Sequence, residues 1–140
     1  MTSEKPHFKT RARLLCQLGE QLIKSESIAL LELVKNAYDA DASYCNVEIT
    51  DPENAEKCKI VIEDDGIGMN KKIIKDVWLE IGTDNKQEKK ENGIKSPKYG
   101  RTPLGEKGIG RLGVHRLGKK ITLISRMKDC KECVLKINWE

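Results

Sequence analysis

Residues 29–42, ALLELVKNAYDADA, constrain the fold most because they predict a helix with two different faces. At an advance of about 100° per residue, its apolar side chains form one stripe wide enough to face a core, made of Leu30, Leu33, Val34 and Ala37. The polar side chains on the opposite side stack one turn apart and can act on one ligand, and they are Glu32, Asn36 and Asp39. The alternative interpretation is a solvated polar face. Ligand-binding motifs elsewhere in the chain would favour the first interpretation.

The length of 140 residues indicates one domain, and the composition suits an α/β or α+β protein with a charged surface. No apolar run is long enough to span a membrane, and residues 1–10 lack an apolar signal core, so we expect a cytoplasmic protein. The five cysteines are odd in number and irregularly spaced, which favours reduced thiols. For Cys130 and Cys133, a hairpin turn is more plausible than a zinc or redox site.

The remaining pattern predicts helices and paired strands in alternation. Residues 1–10 form a polar arm, and helical spacing indicates a helix over residues 11–24. Alternating strands follow at residues 44–50 and 59–63 and should pair antiparallel, and Asn70 can cap a third helix. A short helix through about Leu117 and two further strands, residues 120–126 and 133–139, complete the chain.

A long polar loop occupies residues 82–107. It contains seven Lys or Arg residues against four Asp or Glu, so it carries +3 of the net charge of +4. A connection of this length in a small domain is usually a functional loop or lid. Its charge predicts contact with phosphate groups, either of a nucleotide or of nucleic acid.

The loop closes in a glycine-rich stretch, GEKGIGRLG at residues 105–113. Glycines let a backbone approach a phosphate closely, and Lys107 and Arg111 add positive charge there. The stretch lacks the P-loop pattern, and it follows a loop rather than a strand, so the dinucleotide fingerprint also fails. By itself it is a weak signal that a flexible turn would also explain.

The second strand runs into DDGIGM, residues 64–69. Asp64 at such a strand-to-helix turn can accept a hydrogen bond from an exocyclic amine such as that of adenine. Gly66 and Gly68 leave room for a flat ring, and Met69 can pack on it. A polar turn that uses Asp and Gly for their backbone preferences is the alternative.

Taken in order, an E-xxx-N-xx-DA helix, a strand ending in D-x-GIGM and a loop ending in GxxGxG resemble the GHKL ATPases, the superfamily of DNA gyrase, the ninety-kilodalton heat-shock chaperone, histidine kinases and MutL. The matching segments run from about Ser27 to Leu117. GTDNK at residues 82–86 and GEKGIGRLG look most like stand-alone bacterial ATP-binding proteins of the group or its microrchidia-like branch.

The resemblance implies an α/β two-layer sandwich, with helices on one face of a mixed, mostly antiparallel sheet and residues 82–107 as an ATP lid. It implies that Glu32 is the general base and that Asn36 is the Mg²⁺ ligand, while Asp39 supports the pocket. It also implies that Asp64, with Gly66, Gly68 and Met69, reads adenine. The phosphate cradle would be Gly105, Lys107, Gly108, Ile109, Gly110 and Arg111.

The resemblance therefore implies Mg²⁺-dependent ATP hydrolysis in which lid closure drives a conformational change or homodimerisation. A threonine-containing strand typical of the group has no counterpart after Trp139, so residues 1–140 are expected to be the N-terminal domain of a longer protein. A nucleotide switch or DNA-associated module remains open, although Tyr99 is the one aromatic residue of the loop. Histidine-kinase phosphotransfer ranks lower, because that branch typically carries asparagine where this chain has Glu32.

Overall fold

The computed structural model describes residues 12–80, 91–105 and 110–140. The expected arm at residues 1–10, most of the first half of the expected lid, and the cradle residues Lys107, Gly108 and Ile109 lie outside these ranges. Among the described residues, four helices alternate with two β-hairpins. The predicted fold class, helices combined with antiparallel strands, is confirmed.

Two helices begin the described chain, α1 (Ala12–Leu22) and α2 (Glu26–Asp39). Ser25 caps α2, since its hydroxyl oxygen accepts the backbone N–H of Ile28 at 3.2 Å. The apolar residues of α1 are only partly covered, because Leu14, Leu18 and Leu22 remain 36–46% exposed. The buried core instead gathers around α2 and consists of Ile23, Ala29, Ala37, Ala42, Ile74 and Leu112.

The strands form two separate antiparallel ladders in the described part of the chain, β1 (Cys45–Thr50) with β2 (Lys59–Asp64) and β3 (Lys120–Ser125) with β4 (Cys133–Asn138). The single mixed sheet that we expected is thus present as two hairpins. They meet where β2 and β3 end, because the Ser125 hydroxyl accepts the N–H of Met69 at 2.8 Å. The side-chain amide of Asn70 also donates to the sulfur of Met127 at 3.7 Å, so side-chain hydrogen bonds connect the two hairpins at this point.

The third helix differs from its sequence pattern. Asn70 caps α3 (Lys71–Ile73) by accepting the N–H of Ile73 at 2.9 Å, as predicted, but the chain then widens into a π-helical turn at Ile74–Trp78. After the described part of the loop, a 3₁₀ turn (Gly110–Leu112) leads into α4 (Gly113–Leu117). None of the helices in the described ranges is long and apolar enough to cross a membrane.

The cysteine pair lies at the turn of the second hairpin. Cys130 donates its backbone N–H to the Met127 carbonyl at 3.0 Å, and Cys133 begins β4. Both thiols are free, as are those of Cys45 and Cys58. The described residues contain no group of three His, Cys, Asp or Glu side chains that could hold a metal ion.

Candidate functional site

The described residues 98–105 and 110–113 run back along α2, from its carboxyl end to its amino end. Small residues permit this approach at the far end: a Cβ added to Gly113 would lie 3.2 Å from both Cα and Cβ of Ala29. Three residues earlier, a Cβ on Gly110 would lie 2.8 Å from Oε2 of Glu32. The two helix positions are also three apart, so the antiparallel course brings the glycine-rich stretch against the polar row of α2.

Glu32 is a partly buried carboxylate in this contact. Its side chain is 24% exposed, and Oε1 accepts a hydrogen bond from Nζ of Lys35 at 2.8 Å. Oε2 is the oxygen that faces Gly110. The polar row predicted on α2 is therefore covered in part by the chain itself and is not simply a solvated surface.

Asp39 binds the loop just before the glycine-rich stretch. Its two carboxylate oxygens accept the backbone N–H groups of Leu104 at 2.7 Å and Gly105 at 3.1 Å. Charge-assisted hydrogen bonds of this kind are stronger than those between neutral groups. Asp39 thus positions the chain that leads toward Gly110, which is a more specific role than the general support of the pocket expected from the sequence.

Asp41 is a second anchor for the loop that sequence reasoning missed. It is 2% exposed and has a φ of 62°, and its carboxylate accepts hydrogen bonds from the Ser96 hydroxyl at 2.6 Å and the Lys98 N–H at 2.6 Å. The Tyr99 N–H is also within reach at 3.3 Å. Burial opposes ionisation of Asp41, but these hydrogen bonds outweigh it and lower its pKa.

Arg101 also attaches the loop to the end of α2. Its guanidinium donates to the carbonyl oxygens of Tyr38 at 3.2 Å and Ala42 at 2.8 Å, at the end of α2. It also lies over the rings of Tyr38 and Tyr99, in each case 4.5 Å from the centroid. The sequence signals for this anchor were the two aspartates of DADA, residues 39–42, and the positive charge of the loop, and neither signal identifies the partner of the other.

The DDGIGM turn packs against the same end of α2. Ile67 donates its N–H to the Ala40 carbonyl at 2.8 Å, and a Cβ on Gly66 would lie 2.7 Å from that oxygen. Gly68 has a φ of 67°, and a Cβ there would lie 2.0 Å from the Arg126 carbonyl oxygen. Both glycines are therefore required by close backbone contacts.

The two aspartates of this turn have different surroundings. Asp64 is exposed, and its Oδ1 accepts the N–H of Gly66 at 2.9 Å. Asp65 instead accepts hydrogen bonds from the hydroxyl and N–H of Ser43 and from the N–H of Tyr44, and the Ser43 hydroxyl does most to lower its pKa to about 2. Asp65 joins the two strand ends, which leaves Asp64 as the carboxylate available to a ligand.

Cys45 is the ladder partner of Asp64. Burial, together with the neighbouring charge of Asp64, raises the pKa of the Cys45 thiol. The thiol beside the candidate adenine-binding carboxylate is thus held in its neutral form.

Arg111 belongs to the glycine-rich stretch, but its side chain binds the end of the third helix. Its guanidinium donates to the carbonyl oxygens of Val77 and Glu80, at 3.1 Å for Glu80, where it caps the end of the π-helical turn. Burial lowers the pKa of Arg111. This arrangement explains how the glycine-rich stretch is attached to the third helix, and a contact of Arg111 with phosphate stays a prediction.

A cavity of about 160 Å³ lies between the end of α2, the DDGIGM turn and the loop. It is lined by Asp39 and Asp41 from the end of α2, by Ile67 from the DDGIGM turn, and by residues 94–97 and 101–103. The structure thus brings α2, the turn after β2 and the loop to one place. Asn36 belongs to the same polar row, between Glu32 and Asp39, and is half-buried.

Comparisons with known proteins give this chain a family and a relative. The family described as histidine kinase-, DNA gyrase B-, and HSP90-like ATPase matches residues 23–140. A protein of Herpetosiphon aurantiacus described as a candidate type II restriction enzyme, HgiDII, is 35% identical over 120 residues. That match covers 86% of this chain but 17% of the relative, so the chain corresponds to about a sixth of that longer protein.

Proposed function

Because this chain belongs to the family of histidine kinase-, DNA gyrase B-, and HSP90-like ATPases, we propose that it binds ATP with Mg²⁺ and hydrolyses it in the site beside α2. The observation that carries the proposal is the contact between Gly110 and the Glu32 carboxylate. It joins a candidate base to the candidate phosphate-binding stretch, two features about 80 residues apart in sequence.

Glu32 is the proposed general base. It accepts a proton from the water whose oxygen attacks the γ-phosphorus, while the bond from that phosphorus to the β–γ bridging oxygen breaks and ADP leaves. The reaction depends on positioning and charge rather than on a covalent intermediate. Oε2 of Glu32 is the oxygen proposed to take the proton, and its position facing Gly110 supports this assignment.

The residues present fit Mg-ATP. Asn36 offers a neutral oxygen on the Glu32 face of α2, and Mg²⁺ is usually held by one or two protein groups together with phosphates and waters. Gly110 leaves beside Glu32 a space that a Cβ would fill. When bound, Mg²⁺ neutralises charge on the phosphate oxygens. Asp64 with Gly66, Gly68 and Met69 is proposed to bind adenine, and Gly105, Lys107, Gly108, Ile109, Gly110 and Arg111 are proposed to surround the phosphates.

The loop contacts support a lid function for residues 82–107. Asp39 and Asp41 accept the backbone N–H groups of residues 98, 99, 104 and 105, and the side chains of Ser96 and Arg101 add hydrogen bonds at the same end of α2. We propose that ATP closes the rest of this lid and that closure drives a conformational change or homodimerisation in the cytoplasm.

Two measurements test the proposal. Isothermal titration calorimetry with a non-hydrolysable ATP analogue should give saturable binding that weakens when Mg²⁺ is withdrawn. Phosphate release from ATP should likewise require Mg²⁺ and stop with excess chelator. Saturable binding without phosphate release would reject hydrolysis and favour a nucleotide switch, and absence of binding would reject the site.

A DNA-associated role is a second candidate. Lys98 lies 4.7 Å from the centroid of the exposed Tyr99 ring, and Arg101 lies over the same ring, so cations flank an aromatic surface. The relative described as a restriction enzyme favours this candidate as well. Fluorescence anisotropy with a labelled DNA duplex should then show affinity that falls steeply with salt. Equal affinity for Lys98→Ala and the unaltered protein would reject this surface.

A further inference from the structure

Lys35 faces the proposed base along α2, three residues after it. Its Nζ lies 2.8 Å from Oε1 of Glu32, and the two side chains are 28% and 24% exposed. Residues three apart on a helix are neighbours, so the pair forms without any movement of the backbone. Since both groups are partly shielded from water, their attraction is less screened than that of a pair at the surface.

A second ion pair of the same length provides a comparison. Lys72 contacts Asp76 at 2.8 Å on the third helix, but its side chain is 83% exposed and that of Asp76 is 47% exposed. Exposed pairs of this kind contribute little to stability. The Lys35 pair differs in its burial and in its partner, which is the carboxylate that contacts the glycine-rich stretch.

The two carboxylate oxygens of Glu32 have different neighbours. Oε1 is occupied by the Lys35 ammonium, and Oε2 faces the position of Gly110. A carboxylate held through one oxygen cannot rotate freely about its last side-chain bond, so the other oxygen keeps a constant direction. That direction is toward the stretch proposed to bind phosphate.

We propose that Lys35 is a positioning residue for the hydrolytic water: it holds Oε1 of Glu32 so that Oε2 is presented to the water beside the γ-phosphate. This inference rests on the proposed hydrolysis. Lys35 acts through Glu32 and does not contact the nucleotide. Loss of its ammonium should therefore lower kcat while leaving nucleotide affinity unchanged.

The test uses Lys35→Met, which keeps an apolar side chain of similar length, together with Lys35→Arg and the control Lys72→Met. We expect Lys35→Met to lower kcat by roughly tenfold or more, with the affinity for the ATP analogue within about twofold of the unaltered protein. Lys35→Arg should recover most of kcat, because a guanidinium can donate to the same oxygen. Lys72→Met should leave both quantities unchanged.

A double-mutant cycle with Glu32→Gln isolates the route of the effect. In the Glu32→Gln background, Lys35→Met should cause no further loss of kcat. An equal loss in both backgrounds would overturn the proposal, as would an unchanged kcat for Lys35→Met or an effect confined to affinity. If Lys35→Met does not fold, Lys35→Leu, which likewise cannot donate a hydrogen bond to Glu32, takes its place with the same expectations. Turnover by the unaltered protein reports separately on the proposed hydrolysis.

Discussion

Asp39 accepts the backbone N–H of Leu104 at 2.7 Å, across 65 residues of sequence. The contact ties the carboxyl end of α2 to the chain that enters the glycine-rich stretch. Asp41, two residues after Asp39, likewise accepts the backbone N–H of Lys98. The helix α2 and the two residues after it therefore carry both the candidate catalytic carboxylate and the anchors of the loop, so a movement of the loop would act directly on the helix that carries Glu32.

Replacing Glu32 by alanine removes the proposed base. We expect phosphate release to fall by about 10²–10⁴-fold, the usual contribution of general acid–base catalysis, while the ATP analogue still binds. Steady-state turnover and calorimetry on the same preparation check this. Unchanged turnover would remove Glu32 from the mechanism.

Asp64→Asn changes the group proposed to accept the exocyclic amine of adenine. We expect the preference for ATP over GTP to decrease, since an amide can also donate a hydrogen bond to the guanine carbonyl. Competition between the two nucleotides measures this preference. If the unaltered protein binds ATP and GTP equally, the assignment fails before any substitution is made.

Asp41→Asn tests the loop anchor. An amide NH₂ replaces one acceptor oxygen and faces a backbone donor, either the Lys98 N–H or the Tyr99 N–H. We expect backbone amides of Lys98 and Tyr99 to exchange with deuterium roughly tenfold faster, because local opening becomes easier. Exchange within β3 serves as the internal reference. Protection at residues 98 and 99 equal to that of the unaltered protein would show that Asp41 does not hold the loop.

Asp65 should make stability depend on acid pH. Its pKa is about 2 in the folded protein, below its ordinary value of 3.8, so its ionised form stabilises the fold above about pH 4. This stabilisation is lost as the pH falls from about 4 toward 2. Urea unfolding should show Asp65→Asn less stable than the unaltered protein at pH 6, with the difference shrinking below pH 4. The exposed turn residue Asp129, replaced by Asn, provides the control, and a pH-independent difference would contradict the prediction.

Gly68→Ala tests the turn after β2. Alanine at a φ of 67° is strained, and its Cβ would lie 2.0 Å from the Arg126 carbonyl oxygen. We expect a loss of about 1–3 kcal/mol in the free energy of unfolding, typical of overpacking. Gly118→Ala is the matched control, because Gly118 has extended backbone and its added Cβ would come no nearer than 3.8 Å, to the Lys120 carbonyl oxygen. Equal stability of the two variants would show that the turn tolerates a side chain.

Local patterns in the sequence were sufficient to predict the helices and strands. Helical spacing, the capping residues Ser25 and Asn70, and alternation in the strands depend on neighbours within a few residues, and the structure has these elements within one to three residues of their predicted bounds. The order of the motifs was also sufficient for the family, because three weak signals in a fixed order are specific together.

Tertiary structure alone decided how the motifs meet. The antiparallel course of residues 98–105 and 110–113 along α2 depends on contacts between positions about 60–85 residues apart, which no local pattern encodes. It showed Asp39 and Asp41 as loop anchors and directed Arg111 to the third helix. The tertiary structure also distinguished the Lys35–Glu32 pair. The spacing of these two residues was visible in the sequence, but only the packing of Glu32 against Gly110 distinguishes the pair from an ordinary surface pair such as Lys72 and Asp76.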